Sequence, residues 1–239
     1  LFFSHVSSTT GLVLPAKQLC KLARQRGLLS VVDGAHAPGM IPLDMHDLGA
    51  DFYAANCHKW LMAPAGAGFM HVAAHRKSML APIITSWGYD YDATKSDQDS
   101  SHGGTFWQRD MEFHGTTDRC PQMVLPECLD LRQSLGGDSA VLKRTWQLSD
   151  YLRQKLAACG LACATPKNES LNGGAMTAFD FPCDDVIAMR DRFWNEFRIE
   201  CPVTRAAGKT FLRVSTGWFN TTEELDRLAD AVRAIRRSP

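Results

Sequence analysis

Two residues set the question: Asp33 and Lys59, 26 positions apart. Asp33 closes a short apolar run, 28–32, that reads as a buried strand. Lys59 stands in Asn56-Cys57-His58-Lys59-Trp60, just past a second strand candidate at 51–55. Taken singly, each has a plain explanation. An Asp at a strand end often caps a helix, a His in an apolar setting is often a satisfied core or surface group, and a lone Lys is usually solvated. Taken together, they put a carboxylate and an amine at the ends of nearby strands, where open α/β sheets hold their ligands.

Pyridoxal phosphate needs this pair. An amine links to its aldehyde as a Schiff base, and a carboxylate keeps its pyridine nitrogen protonated so that the ring absorbs the electrons of a carbanion. The pyridinium in turn supplies the cation without which burying an Asp is costly.

The elements that must position these groups follow a simple order. Residues 1–6 read as a buried strand and 7–11 as a turn. A helix follows, with Leu19, Leu22 and Ala23 on one face, Arg26 at its edge and Gly27 at its end. With the strand at 28–32 this makes a βαβ unit, hence a parallel sheet with a right-handed crossover. A short helix is expected at 44–48, and a strand at 66–72 that turns back antiparallel after Pro64-Ala65-Gly66. Residues 85–118, rich in Gly, Ser, Asp and Thr, read as one long loop, functional or mobile, and 119–135 as a helix.

Beyond the break at Gly136-Gly137-Asp138, a helix at 139–159 leads to strands at 161–165, 175–181, 199–204 and 210–215 and helices at 184–197 and 222–236. Thr221 and Glu224 have the spacing of a capping box for the last helix. The expected division is residues 1–137 as part of a large α/β domain and 138–239 as a small α+β domain.

Composition excludes several classes. The 239 residues are 45% hydrophobic, enough for a substantial core, and carry 26 basic and 26 acidic side chains, so no basic field attracts nucleic acid or an anionic membrane. No apolar run approaches the roughly 18–20 residues that span a bilayer. Eight scattered cysteines form no C-x-x-C pair, which argues against a zinc knuckle and for free thiols in a reducing cytoplasm. No G-x-G-x-x-G follows a strand, against a nicotinamide-binding domain. The opening Leu1-Phe2-Phe3-Ser4-His5-Val6 reads as the middle of a strand, and the expectation is a chain lacking an upstream segment.

Asp33-Gly34-Ala35-His36, the Asn56–Trp60 block and the interval between them resemble the cofactor segment of the class V aminotransferases, which share the aspartate aminotransferase-like fold. The isopenicillin-N epimerase-like branch is the nearer likeness. Ser4-His5-Val6-Ser7-Ser8-Thr9-Thr10-Gly11, Gly49-Ala50-Asp51-Phe52-Tyr53, Ser86-Trp87-Gly88-Tyr89, Gly115-Thr116-Thr117-Asp118 and Arg213-Val214-Ser215 support it. The likeness runs in order over nearly the whole chain and is weaker from 139 to 200.

The resemblance implies part of a mostly parallel, seven-stranded-type sheet, a small α+β C-terminal domain and a homodimer. It also implies roles. Lys59 is the Schiff-base lysine and moves the substrate's α-proton, and Asp33 pairs with the pyridine nitrogen. His36 lies near the ring face or phenolic oxygen. Ser8 stands where relatives often have an Asn reaching that oxygen, with a shorter reach. Asn56 and His58 contact the phosphate, Thr116 contacts the phosphate of the partner subunit, and Arg213 clamps the carboxylate of a small amino acid. By spacing alone, Arg213 fits a surface salt bridge equally well, and Thr116 a turn.

Transamination, epimerisation and β-elimination share their first step, and the sequence does not separate them. Cysteine desulfurase ranks lower. Its nucleophilic cysteine would be Cys201, which stands in an apparent strand and reads as a small buried hydrophobe. Relatives carry upstream the helix N-terminus that binds the phosphate and a group stacked on the ring. A chain starting at Leu1 is therefore expected to bind cofactor weakly and turn over little, and a dimerising fragment without activity is the competing class.

Overall fold

The computed structural model describes residues 1–87, 89, 95–100 and 103–237; Gly88 of the Ser86–Tyr89 motif lies outside them. Its first sheet has the order β1 (Phe2–Ser4), β2 (Val31–Asp33), β3 (Phe52–Asn56), β4 (Gly68–Val72). The pairs β1/β2 and β2/β3 are parallel and β3/β4 is antiparallel, as the tight turn at 64–66 predicts. In register, Ser4 lies beside Asp33 and Asp33 beside Ala54, so three strands end along one edge.

Helix α1 (Ala16–Gln25) makes the crossover from β1 to β2. It buries Ala16, Cys20 and Ala23, while Leu22 is 44% exposed. The inward face therefore differs from the expected one: small side chains let the helix approach the sheet closely, and Leu22 is turned outward. Gly27, at φ +66°, ends the helix. A short helix α2 (Met45–Leu48) is capped by the Asp44 carboxylate, which accepts from the backbone N–H of His46 and Asp47 at 2.9 and 3.0 Å.

The other ends of β2 and β3 are tied by a buried polar knot. Asp51 accepts from Ser30 N–H at 2.9 Å and Ser30 Oγ at 3.0 Å, and Arg76 Nε donates to its second oxygen at 2.6 Å. Beneath the sheet, Val32, Tyr53 and Ala55 join Val6, Val13, Cys20, Met40 and Met176 in one core. The strand read as buried at 1–6 is buried at His5 and Val6 and exposed at its start. Phe2 and its register partner Val31 are 71% and 38% exposed.

The segment read as one loop, 85–118, contains helix α3 (Phe106–Glu112). Thr105 and Gln108 form its capping box, with Thr105 N–H donating to Gln108 Oε1 at 2.8 Å and Gln108 N–H to Thr105 Oγ1 at 3.2 Å. The helix expected at 119–135 is two, α4 (Cys120–Met123) and α5 (Leu125–Ser134). Pro126 lacks the N–H needed to continue α4 and stands in the first turn of α5 instead.

Helix α6 (Gly137–Ala158) leads to a second, antiparallel sheet of order β5 (Met176–Asp180), β7 (Lys209–Ser215), β6 (Val203–Ala206). The β6–β7 turn places Ala207 and Gly208 at φ +49° and +74°, the two positive angles that match a two-residue hairpin to strand twist. Leu148, Leu152 and Leu156 of α6 pack with Leu225, Leu228 and Val232 of α8 (Thr222–Arg237) against Phe179, Leu212 and Val214.

Helix α7 (Val186–Phe197) is capped by Asp185, and the Thr221/Glu224 capping box forms as spaced. No strand forms over 161–165, where a single bridge joins Cys163 to Phe179. Residues 199–202 precede β6 rather than belong to it. Among the described residues, no helix is long and apolar enough to cross a membrane.

One contact links this architecture to the functional edge. A Cβ on Gly34 would lie 2.0 Å from Tyr53 Cε1, and Tyr53 is fully buried. The Gly34→Ala chain should lose about 1–3 kcal/mol of unfolding free energy through overpacking, read from its urea midpoint; an unchanged midpoint would show that Tyr53 yields freely.

Candidate active site

Parallel pairing brings the ends of β1, β2 and β3 together, and the loops beyond them carry the reactive groups. Asp33 is the last residue of β2. Its Oδ2 accepts from Ser4 Oγ at 3.1 Å and its Oδ1 from Ala35 N–H at 2.9 Å. These two donors fix the plane of the carboxylate. Behind it, Tyr53 Oη lies 2.9 Å from His5 Nδ1. The Tyr53 pKa is pushed well up by burial and by the nearby Asp33 charge, and burial lowers that of His5 to about 4, so both are uncharged.

His36 stands in the turn after β2. Its Nε2 is 3.3 Å from Lys59 Nζ, and its Nδ1 accepts from Trp60 Nε1 at 3.4 Å. Its pKa is lowered to about 4, first by burial, then by the positive charges of Lys59 and Arg213, with Asp33 opposing. His36 is thus a neutral ring set among Lys59, Arg213 and Asp33.

Arg213 comes from the other sheet, on β7. Its Nη1 donates to the carbonyl of Ser8 at 2.7 Å, across 205 positions of sequence. Its Nε is buried without a partner. Burial lowers its pKa from the ordinary guanidinium value, although the residue as a whole is only half-buried.

The structure therefore brings Asp33, His36, Lys59, Arg213 and the Ser8 backbone together. For Asn56, His58 and Thr116, no hydrogen bond or ion pair to this cluster is found among the described residues. Ser8 joins through its carbonyl, not its hydroxyl. His58 is exposed, with Nδ1 3.3 Å from the Ala67 carbonyl. Asn56 ends β3 opposite Gly68. Thr116 is exposed between α3 and α4.

Sequence reasoning passed over Ser4 and Trp60 as site residues. Ser4 heads a stretch that carries the family resemblance, but only strand register places its hydroxyl on Asp33. Trp60 lay within the quoted block, but adjacency to a lysine says nothing about where an indole N–H points. Cys201 is 3% exposed, donates to the Arg213 carbonyl at 3.2 Å, and has its pKa pushed up to about 12 by burial. It is an inert thiol, in keeping with its reading as a buried hydrophobe.

The model of the family "Aminotransferase class-V" matches residues 1–228. The chain belongs to the class V aminotransferase family. It is 44% identical over 240 residues to the isopenicillin N epimerase of Amycolatopsis lactamdurans, covering 99% of this chain and 60% of that one. It is 42% identical over 237 residues to that of Streptomyces clavuligerus, covering 98% and 59%. The chain thus spans about 60% of the length of these relatives. Among solved structures, a cysteine desulfurase from Thermococcus onnurineus NA1 superposes with a TM-score of 0.78 at 18% identity, over 98% of this chain and 59% of that one. The shared fold is α/β with a mostly parallel sheet.

The buried histidines dictate a pH response. His5 and His36 both have folded values near 4 against 6.5 for a free side chain. On acidification the unfolded chain takes up protons that the folded chain refuses, so stability falls as pH drops from 6.5 towards 4. Denaturant titrations across this window should show the decline, and His5→Gln should flatten part of it. An identical slope in that variant would contradict a neutral, buried His5.

Proposed function

We propose that this chain carries the pyridoxal-phosphate site of an enzyme that moves the α-proton of a small amino acid, of the aminotransferase or epimerase type. The observation that carries this reading is the convergence of Lys59, Asp33 and Arg213 on one neutral histidine. The donor set fits the cofactor: a primary amine at Lys59 for an aldehyde, and at Asp33 a carboxylate held by two hydrogen bonds for a ring N–H. Bound there, pyridoxal phosphate supplies an aldehyde for covalent capture and a ring that withdraws electrons from the substrate's α-carbon.

The remaining work belongs to the protein. Lys59 would hold the cofactor through its amine, and its free Nζ would take and return the α-proton. Asp33 keeps the ring nitrogen protonated. His36, neutral and beside Lys59, would be one of the residues that hold the cofactor ring. The guanidinium of Arg213 meets the substrate carboxylate, and its Nη1, anchored on the Ser8 carbonyl, fixes the guanidinium plane. In this reading Asn56, His58 and the Ser8 hydroxyl serve the phosphate and phenolic oxygen. Thr116 serves the phosphate of a second copy, which makes the working form a homodimer. Residues 1–137 then form part of the cofactor domain and 138–239 the small domain that brings Arg213.

The likeness to isopenicillin N epimerases favours proton return over group transfer. A desulfurase reading loses its nucleophile, since the Cys201 thiol is buried and its pKa raised.

Proton NMR of small L-amino acids with the protein and pyridoxal phosphate in D2O tests this. The α-proton should exchange, with the D-enantiomer appearing if epimerisation dominates and a keto acid if transamination does. Lys59→Ala should abolish exchange. Arg213→Ala should raise KM roughly 10- to 100-fold, the worth of hydrogen bonds to a charged group; an unchanged KM would remove Arg213 from its role.

A further inference from the structure

Arg213 reaches out of its own sheet to the Ser8 carbonyl. A carbonyl can orient a guanidinium only if it is itself held. Ser8 sits in a tight turn after β1, closed by Gly11 N–H on the Ser7 carbonyl at 2.9 Å and Ser7 N–H on the Leu12 carbonyl at 2.8 Å. Thr10 Oγ1 donates to Ser7 Oγ at 3.0 Å and braces it from within. The turn lies against β5: a Cβ on Gly11, at φ +68°, would meet the Met176 carbonyl oxygen at 2.3 Å. Its second polar tie to the small domain is at Thr10, whose carbonyl accepts from Thr165 Oγ1 across 155 positions of sequence.

The direction of that hydroxyl is set by its surroundings. Ala178, on the edge strand β5, donates its N–H to Thr165 Oγ1 at 2.8 Å and accepts from Ala164 N–H at 2.8 Å. An oxygen that accepts there has one hydrogen left to donate, and Thr10 receives it. Thr165 is 2% exposed, so bulk water does not compete. Its backbone is fixed as well. Arg153 Nη1 donates to the Thr165 carbonyl at 2.9 Å, and Asn172 Nδ2 donates to the Pro166 carbonyl at 2.9 Å. Ala178 is also the register partner of Arg213. The two ties to the turn, Arg213 on Ser8 and Thr165 on Thr10, therefore start from neighbouring points of one strand pair. Held by Arg213 alone, the turn could pivot with it; held at both points, it fixes the guanidinium.

We propose that Thr165 is a positioning residue for Arg213: its hydroxyl pins the Ser7–Gly11 turn to β5, so that the Ser8 carbonyl holds the guanidinium in one plane for a carboxylate. This rests on the reading of Arg213 as the substrate-carboxylate contact.

Nitrogen-15 spectra of the cofactor-free protein, with the Arg213 guanidinium signals assigned by their loss in Arg213→Lys, show whether Nη1 and Nη2 stay distinct, as they do when rotation about Nε–Cζ is stopped. The native protein should give two resolved signals. Thr165→Val, which keeps the shape and removes the hydroxyl, should merge them, and Thr165→Ser should keep them apart. With L-alanine and pyridoxal phosphate in D2O, Thr165→Val should raise KM for α-proton exchange about fivefold, the worth of one neutral hydrogen bond, at unchanged kcat. In an Arg213→Gln background it should add nothing. Merged signals in the native protein or in Thr165→Ser overturn the proposal whether or not Thr165→Val folds. So does a folded Thr165→Val that keeps the signals distinct, or a KM penalty that persists without Arg213. Absence of any α-proton exchange by the native protein would instead defeat the functional reading of the site, on which the guanidinium spectra do not depend.

Discussion

The lateral register of three short parallel strands governs everything else in this molecule. Because Ser4, Asp33 and Ala54 lie side by side, the chain leaves all three strands along the same edge. A hydroxyl, a carboxylate and, five positions past Ala54, a lysine are thereby gathered from distant parts of the sequence. A one-residue slip of β2 would turn Asp33 to the other face of the sheet and break its bond to Ser4. The knot of Ser30, Asp51 and Arg76 at the opposite ends of β2 and β3 resists that slip, since displacing it strands a buried carboxylate. Tyr53, fully buried and pressed against Gly34, leaves no room for it either.

The second constraint joins the two sheets. Arg213 sits on β7 with its Nη1 on the Ser8 carbonyl, so the antiparallel sheet contributes one side chain to an edge built by the parallel one. The Arg213 Nε is buried and unmet, as are Arg153 Nε and Thr204 Oγ1 among the described residues, and each such atom costs stability. The same burial keeps His36 uncharged between Lys59 and Arg213, where a third positive charge would be repelled. Stability and site chemistry therefore draw on the same dry environment.

The sequence made much of this legible for identifiable reasons. The βαβ unit follows from an amphipathic helix between two apolar runs, the antiparallel β4 from a Pro-Ala-Gly turn, and the last helix from its capping box. What escaped depended on contacts made at long range or on polar cues weaker than their surroundings. Helix α3 was hidden in a Gly- and Ser-rich stretch because its start is a single Thr-Gln pair. Residues 161–165 have strand-like side chains, yet only Cys163 finds a bridging partner. Leu22 turned outward because Cys20 and Ala23 allow α1 a closer approach. At the site, the types and spacing of Asp33 and Lys59 indicated a shared pocket. The contact between Arg213 and Ser8 spans 205 positions, and no local pattern encodes it.

The central claim is that Lys59 is the residue that holds pyridoxal phosphate. It is tested most directly by adding the cofactor, recording the absorbance spectrum, reducing with borohydride and mapping the modified peptide. The account predicts a yellow band that reduction fixes as a stable adduct on Lys59 and on no other lysine. An adduct on a different lysine, with Lys59 unmodified, would contradict it.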